Sequence, residues 1–337
     1  MTAPLDVPGD LGPAPEAVLV GVPTGPAGAA IAGRSLGQIA WMRLRRDRVA
    51  MTGAGVIVLL LVVALTAPWV VDLFGHPPNE FHTDVLDPNL QTPNGSFGGV
   101  SSDFLLGAEP VNGRDLFSRV IYGSRISLLI AFLATMLSVV IGAVLGVVAG
   151  FFGGWIDTLI SRTMDVFLAF PLLVFAIALA GVVPDDAFGL TGDSLRIALL
   201  VFIIGFFNWP YIGRIIRGQT LSLREREFVD ASRSLGARAP YILFRELLPN
   251  LVAPILVYFT LLIPSNILFE AALSFLGIGV QPPTASWGAM ISDATDIFDT
   301  AWWYMTFPGV ALVLTVLAFN LVGDGLRDSF DPQQRRR

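Results

Sequence analysis

The charged segment, residues 224–250, reads REREFVDASRSLGARAPYILFRELLPN and is the most polar passage of a very apolar chain. Its first half places Phe228, Ala231 and Leu235 at i, i+3 and i+7, which is the spacing of one helical face. Gly236 follows, and glycine readily takes the left-handed backbone conformation that ends many helices. This half therefore predicts a short amphipathic helix that stops at Gly236.

The second half of the charged segment repeats the pattern. Pro240 suits the first turn of a new helix, and Tyr241, Phe244 and Leu248 share the same spacing. Pro249 is expected to stop this helix where the next apolar run begins. Two amphipathic helices joined at a Gly–Pro elbow would face either anionic lipid or a protein. Charges of both signs favour a protein, because a lipid-binding surface would be more uniformly basic.

Apolar runs dominate the rest of the chain. Of its 337 residues, 54% are hydrophobic and 14% are charged, whereas a soluble domain carries roughly a quarter charged residues. Six runs approach the length of about 20 residues that a helix needs to cross about 30 Å of hydrocarbon. They lie near residues 50–74, 121–152, 164–184, 194–217, 250–279 and 304–326. We therefore predict an all-α polytopic membrane protein with six transmembrane helices, since a β-barrel would show short alternating segments.

The positions of the arginines predict the orientation of the spans. An arginine cluster precedes the first span, which places the N-terminus in the cytoplasm by the positive-inside rule. Alternation then places residues 75–120, 185–193 and 280–303 outside. It places residues 153–163, 218–249 and 327–337 inside. Most arginines fall on the inner side, and the exceptions are Arg114, Arg119, Arg125 and Arg196.

Composition divides the chain into four regions. Residues 1–33 are rich in Pro, Gly and Ala with few large apolar residues, which predicts a disordered cytoplasmic tail. Residues 34–120 hold the first span and an outer loop. Residues 121–326 form a core of five spans with the cytoplasmic loop 218–249, and 327–337 are a cytoplasmic tail.

Missing residue types exclude several chemistries. The chain has no cysteine, so it has no thiol nucleophile or thiolate metal site. It has no lysine, which a phosphate-binding P-loop requires, so it cannot carry a P-loop. His76 and His82, six residues apart in a loop, do not suit a helical zinc site. We expect no catalytic, cofactor-binding or metal-binding residues, and therefore no enzyme activity, in this chain.

Residues 113–128 carry charge into the second span. Asp115 and Arg119 stand at i and i+4 on a predicted helix. The pattern fits either an amphipathic lead-in at the outer interface or a merely charged helix start.

Small residues recur every fourth position in the second span. This small-residue stripe consists of Ser138, Gly142, Gly146 and Gly150. Such a stripe lets another helix backbone approach closely. The partner is internal or in another subunit, and we favour an internal one.

Few polar residues lie at membrane depth. Glu270 and Asp324 are the main ionisable ones, accompanied by Asn208, Asn266 and Asn320. Glu270, Asn320 and Asp324 are candidates for a transport path or gate, because ionisable groups within a membrane are often functional. Both acids are predicted near an interface. An ion-coupled secondary transporter, which would need carboxylates near the midplane or broken helices in matching halves, is therefore less well supported.

The charged segment resembles the EAA loop of ABC importer permeases. That pattern reads Glu-Ala-Ala, three residues, Gly, then nine residues before Ile-x-Leu-Pro. The matching positions are Asp230, Ala231 and Ser232 for Glu-Ala-Ala, then Gly236, Leu248 and Pro249. Glu246 departs from the pattern at the isoleucine position, and Asp230 keeps the carboxylate on a shorter side chain.

Further stretches extend the resemblance over roughly residues 35–332. They are LGAEPVNGRDLFSRVIYGSRISL (106–128), FEAALSFLGIGVQPPTASWGAMISDA (269–294) and FPGVALVLTVLAFNLVGDGLRDSFDP (307–332). These look like the C-type permease of dipeptide, oligopeptide and nickel importers. The resemblance implies a type I ABC importer permease fold in a bacterial cell (plasma or inner) membrane.

The resemblance also implies partners and roles. A similar B-type permease would supply the other half of the pore. Two cytoplasmic ATPases would hold ATP and Mg, and a solute-binding protein would dock outside. Membrane lipid would surround the chain, and no nucleic acid is expected as a partner. The implied ATPase-coupling residues are Glu227, Asp230, Ala231, Ser232, Gly236, Ala237, Pro240, Tyr241, Phe244, Arg245, Leu248 and Pro249. Dipeptides or longer peptides are the favoured solutes, with glutathione and nickel complexes left open. The alternatives are an ion-coupled transporter and a non-transporting scaffold that recruits a cytoplasmic protein.

Overall fold

The computed structural model describes residues 36–184 and 186–330, which form a bundle of long helices. Within this part of the chain, five helices are long and apolar enough to cross a membrane, and a bent pair gives a sixth candidate when its two helices are taken as one span. The five are α2 (Arg48–Leu65), α4 (Leu116–Phe152), α7 (Gly192–Arg224), the continuous helix Ala239–Phe275 and α12 (Trp302–Phe330). The prediction of an all-α membrane protein is confirmed. The predicted tail 1–33 and most of 327–337 lie outside the described residues.

The first predicted span, 50–74, consists of two helices rather than one. A short helix α1 (Leu36–Leu44) leads into α2, whose first turn is capped by the Asp47 side chain. The helix α3 (Ala67–Phe74) follows α2 after a break at Thr66 and has a proline in its first turn. Proline has no N–H and fixes φ, so it fits the start of a new helix.

The cap, residues 76–115, is an irregular region that closes one end of the bundle, called here the cap end. It contains two single-turn 3₁₀ helices, Thr83–Val85 and Ser96–Gly98. The backbone N–H groups of Asn89 and Leu90 donate to the Asp87 carboxylate. These two donors hold the pKa of the Asp87 carboxyl below its usual range.

The third predicted span, 164–184, is wrong as a single helix. The structure has α5 (Gly154–Ala169) and α6 (Leu172–Val182), bent by 80° at Phe170 and Pro171. A residue before proline is disfavoured in helical conformation, which explains why Phe170 is extended. The predicted inner loop 153–163 is also largely helical, since it forms the first part of α5. A two-stranded hairpin, β1 (Asp186–Ala187) and β2 (Leu190–Thr191), leads on to α7.

The expectation that Pro249 stops a helix is also wrong. The chain runs without a break through α9 (Ala239–Tyr241), a π-helical segment (Ile242–Leu247) and α10 (Leu248–Phe275). A proline inside an α-helix clashes with the carbonyl four residues earlier. The wider π turn that precedes Pro249 changes this geometry, so the helix can continue.

The core lies where α4, α7 and α10 meet. Ile130, Leu200, Ile203 and Leu273, all almost fully buried, belong to one apolar cluster there. A short helix α11 (Trp287–Ala294) lies at the cap end between α10 and α12. Its Trp287 is buried and donates its indole N–H to the Val120 carbonyl, 3.0 Å away.

Candidate functional site: the charged segment and the helices it joins

The first half of the charged segment forms α8 (Glu227–Ser234). The helix ends at Gly236, whose φ of +80° lies in the left-handed region. The N–H groups of Gly236 and Ala237 donate to the carbonyls of Arg233 and Ser232, at 2.9 and 3.0 Å. Glycine takes this conformation without steric cost, so the elbow is built where the sequence predicts it.

Three buried residues anchor the charged segment to the bundle. Val229 and Leu247 are fully buried and Ile242 is 3% exposed. They form one apolar cluster that also receives Val147 and Phe151 from the end of α4. The cluster holds both halves of the elbow against the transmembrane helices, so the charged segment is not a free linker.

Arg224 adds a polar clamp at the same end of α4, called here the loop end of the bundle. Its Nη1 donates to the carbonyls of Gly150 and Phe151, at 3.2 and 3.3 Å. These carbonyls lack partners within the helix, and a cation there also interacts favourably with the helix dipole. The start of the charged segment is therefore fixed to α4 by charge as well as by apolar packing.

The outer side of the charged segment carries large apolar side chains among its charges. Leu235 is 88% exposed, Phe244 68% and Tyr241 52%, and Phe228 and Leu248 are each 37% exposed. These are the residues whose spacing predicted amphipathic helices. A patch of exposed apolar side chains rimmed by polar residues is typical of a binding surface. We call these five residues the docking face.

The two departures from the EAA pattern have different surroundings. The Asp230 side chain is 65% exposed and pairs with Arg233 at 3.3 Å. Glu246 instead accepts a hydrogen bond from Ser232 Oγ at 3.3 Å, which links the two halves of the elbow. The remaining predicted coupling residues include Glu227, Ala231, Pro240, Arg245 and Pro249, which are exposed, and Ala237, which is half-buried.

The small-residue stripe of α4 lies against α7 within this chain. Ser138 Oγ donates to the Gly205 carbonyl at 2.8 Å. A Cβ added at Gly142 would lie 2.7 Å from the Trp209 carbonyl oxygen, and one added at Gly150 would lie 2.7 Å from Thr220 Cβ. Distances this short leave no room for a side chain, so the two backbones are in direct contact.

The three predicted path residues are not brought together. Glu270 lies near the cap end, fully buried, and its carboxylate accepts hydrogen bonds from Ser127 at 3.0 Å and Ser274 at 2.9 Å. Asp324 is exposed near the loop end of α12, and Asn320 is half-buried one turn before it. The arrangement therefore gives no single gate formed by these residues.

The lead-in to the second span is not an interfacial helix. Asp115 caps α4, and Arg119 pairs with Glu109 at 3.1 Å rather than with Asp115. Glu109 also pairs with Arg114 and accepts a hydrogen bond from the Tyr304 hydroxyl at 3.2 Å. All five side chains are buried. These charges lie inside the protein because the cap folds over them, and they fasten the cap to α4 and α12.

The two histidines belong to the cap and form a ring cluster. His76 and His82 have ring centroids 4.8 Å apart, and Phe104 stacks on His76 at 4.7 Å. Across the described ranges, no group of three or more His, Asp, Glu or Cys side chains could hold a metal ion.

A polar chain crosses the middle of the bundle, and the sequence pattern did not place its members together. The Asn208 amide donates to Asn266 Oδ1 at 3.0 Å, and the Asn266 amide donates to Thr135 Oγ1 at 2.8 Å. The chain joins α7, α10 and α4. In the sequence, only the asparagines at membrane depth pointed to these hydrogen bonds. Thr135 gave no signal, because a lone threonine is common in apolar helices.

Comparison with known proteins agrees with this arrangement of helices and loop. Residues 142–336 match the family described as the binding-protein-dependent transport system inner membrane component. Residues 35–93 match the N-terminal transmembrane domain of oligopeptide transport permease C. The chain belongs to this family of inner-membrane importer permeases.

Individual relatives refine the assignment. The chain is 43% identical over 295 residues to the glutathione transport system permease protein GsiD of Shigella flexneri serotype 5b, covering 87% of this chain and 89% of the relative. It is 41% identical over the same length and coverage to the protein of that name from Escherichia coli O6:K15:H31. It is therefore a multi-pass inner-membrane permease subunit of a peptide/nickel-type ABC importer, and the ion-coupled alternative is not favoured.

A solved structure shows the same fold. The chain superposes on the inward-facing MetNI methionine ABC transporter with a TM-score of 0.52 and 20% identity, over 64% of this chain and 97% of that one. At this identity the match supports the type I permease fold alone.

Proposed function

We propose that this permease forms half of a path for small peptides and is driven by ATPases that bind its charged segment. Two resemblances support a peptide solute. Residues 35–93 match a domain of oligopeptide permeases, and the relatives at 41–43% identity are named for glutathione, itself a tripeptide. Dipeptides and longer peptides remain the first choice, with glutathione and nickel complexes as alternatives within the family.

The docking face is the observation that carries the coupling role. Its apolar side chains point away from an anchored base, and they would be costly to leave in water. Membrane lipid is a poorer partner, since Asp230 and Glu227 stand exposed beside them. We place a cytoplasmic ATPase on this face, with ATP and Mg held by that partner. In this arrangement the charged segment and both termini lie in the cytoplasm.

The elbow gives the partner a direct mechanical connection to the membrane helices. Tyr241 and Phe244 stand at the start of a helix that continues to Phe275 without a break. A helix of 37 residues is about 55 Å long at 1.5 Å per residue. A displacement of the docking face by ATP-driven closure of the ATPases therefore moves α10 along its whole length.

The cap supports the proposed contact with a solute-binding protein at the opposite end. Its exposed charges include Glu80, Asp84 and Asp103, while its arginine, Arg114, is buried. Leu90 adds an exposed apolar side chain. The buried pairs around Glu109 hold this acidic surface in place. A second, B-type permease is expected to complete the path.

A matched pair of leucines tests the coupling role. In the complete importer, Leu235→Ala removes an 88% exposed side chain, whereas Leu247→Ala removes a fully buried one from the same segment. We expect Leu235→Ala to leave the unfolding temperature unchanged while ATPase co-purification and ATP-driven dipeptide uptake fall severalfold. We expect Leu247→Ala to cost about 2–5 kcal/mol of stability, as buried leucines do.

The two variants separate docking from folding. If Leu235→Ala and a doubly changed Leu235→Ala/Phe244→Ala importer both took up dipeptide at the wild-type rate with wild-type ATPase recovery, the docking face would have no coupling role. Uptake driven by a proton gradient in vesicles without ATP would reject the ATP-driven mechanism itself.

A further inference from the structure

The broken third span places irregular backbone deep in the membrane bundle. Between α5 and α6, Phe170 and Pro171 are both extended and exposed. The last carbonyls of α5 and the first N–H groups of α6 have no partners within their helices, and no side chain caps α6. Such backbone is tolerated at membrane depth only where protein buries it or where it lines water.

The break lies at the level of the middle of α7. Phe175, one turn beyond the break, has its ring 4.4 Å from that of Phe207, and Phe167, one turn before it, lies 5.4 Å from the same ring. Asn208, the next residue, is the middle residue of the 33-residue α7. The exposed backbone of the α5–α6 break and the polar side chain of Asn208 therefore lie at the same level, near the middle of α7.

The loop-end half of α7 continues this polarity on its surface. Asn208 is half-buried and its amide nitrogen donates to Asn266, while Tyr211 is 53% exposed. Further along, Arg214 pairs with Asp165 of α5 at 2.7 Å, and both side chains are more than half exposed. At about 100° per residue, the three α7 residues lie within about 120° of arc on one side of the helix.

Hydrocarbon is a poor environment for this surface. A charged side chain costs about 2.5–3.5 kcal/mol at the centre of a membrane helix, and Arg214 lies six residues, or about 9 Å, from the centre of α7 toward the loop end, so only part of that cost applies to it in lipid. The Arg214–Asp165 pair lowers that cost but leaves both groups exposed. The broken backbone and the polar side chains are independent features, and both are explained if water covers this face.

We propose that the break at Phe170–Pro171 and the loop-end half of α7, from Asn208 through Tyr211 to Arg214, form this chain's wall of the solute path. The proposal rests on the proposed transport function and adds its location and chemistry. An asparagine amide both donates and accepts hydrogen bonds, so Asn208 matches the amide groups of a peptide. Asp165 offsets the charge of Arg214 and is shared with the exposed Arg162, so the loop-end part of the wall carries a small positive charge.

The chain contains no cysteine, so single cysteines report the environment of each position directly. Asn208→Cys and Tyr211→Cys are compared with Leu317→Cys, a 51% exposed position near the middle of α12. Each variant is studied in the complete importer in membrane vesicles, with a charged, membrane-impermeant methanethiosulfonate reagent and mass detection on this chain. A thiol in water ionises and reacts, whereas one in hydrocarbon stays protonated.

We expect the two wall positions to react at least about tenfold faster than Leu317→Cys, and dialanine to slow the reaction at Asn208→Cys. Equal, slow labelling at all three positions would overturn the wall, because lipid or the second permease would then cover it. Slow labelling in an importer that still takes up dialanine with ATP rejects the wall and leaves the proposed function intact. Fast labelling at the wall positions, together with an unsubstituted importer that shows no ATP-driven uptake, supports the wall and contradicts the proposed function.

Discussion

Replacing Gly146 by alanine tests how rigidly α4 and α7 are joined. A Cβ at this position would lie 2.6 Å from the Gly213 carbonyl oxygen and 3.1 Å from the Arg217 backbone nitrogen. Ordinary contact begins near 3.4 Å, so the closest approach is about 0.8 Å too short. Both obstructing atoms belong to the backbone, so no side chain can rotate away and the helices must separate.

The expected cost follows from two opposing effects. Overpacking of a close interface costs about 1–3 kcal/mol, while alanine gains up to about 1 kcal/mol over glycine within a helix. Gly55→Ala is the matched control, because Gly55 lies within α2 and an added Cβ would meet nothing within 4 Å. The control variant gains only the stability that alanine adds over glycine within a helix, with no overpacking. Gly146→Ala should therefore be about 1–3 kcal/mol less stable than Gly55→Ala.

Thermal unfolding of the purified importer in detergent, followed by ATP-driven dipeptide uptake in proteoliposomes, checks this expectation. Gly146→Ala should unfold several degrees below Gly55→Ala and should transport more slowly, because separation of α4 from α7 disturbs the Arg224 clamp on α4. Equal unfolding temperatures for the two variants would refute direct backbone contact along the stripe.

Three further predictions concern the ends of the bundle. Gly236→Ala forces alanine into a left-handed backbone conformation at a site where the added Cβ meets open space. The conformational cost of about 1 kcal/mol should weaken ATPase co-purification about fivefold. Unchanged ATPase affinity would contradict the role of the elbow. Asp230→Arg alters an exposed side chain, so the importer should keep its unfolding temperature but hydrolyse ATP without uptake; wild-type uptake would deny Asp230 a coupling role. Glu109→Gln leaves Arg119 buried without its charge partner, so the free energy of unfolding should fall by about 3–5 kcal/mol. In the control Asp103→Asn, which changes an exposed side chain, the free energy of unfolding should change little. A Glu109→Gln importer as stable as the control would show that the cap is not held by these pairs.

Much of the fold follows from short-range features of the sequence. The apolar runs predict the spans because crossing hydrocarbon needs a minimum length of helix, and the spacing around Gly236 predicts the elbow because backbone conformation there is a local property. The same spacing did not identify the anchors. Val229 and Ile242 flank the predicted apolar faces, and only the packing of the segment on α4 decides that they are buried.

Other features depend on residues that are distant in the sequence. Glu109 and Tyr304 are 195 residues apart, and neither spacing nor periodicity relates them. Of the two alternatives for residues 113–128, the interfacial helix is wrong for this reason, since the pattern considered only neighbours within one helix; the charged helix start agrees with Asp115 as the cap of α4. Pro171 did carry a local signal for the broken third span, but the 80° bend depends on how α6 packs against α7.

The contacts also indicate which helix can transmit motion through the bundle. Close-packed backbones join α4 to α7 along the stripe, and they cannot slide without steric clashes. Side-chain hydrogen bonds such as Asn266 to Thr135 and Ser127 to Glu270 help join α10 to α4, and such bonds can exchange partners. We therefore expect ATP-driven closure to move α10 against a fixed α4–α7 pair. Spin labels on α4 and α10 should change their separation on ATP binding, whereas labels on α4 and α7 should not. A change confined to the α4–α7 distance would reverse this assignment.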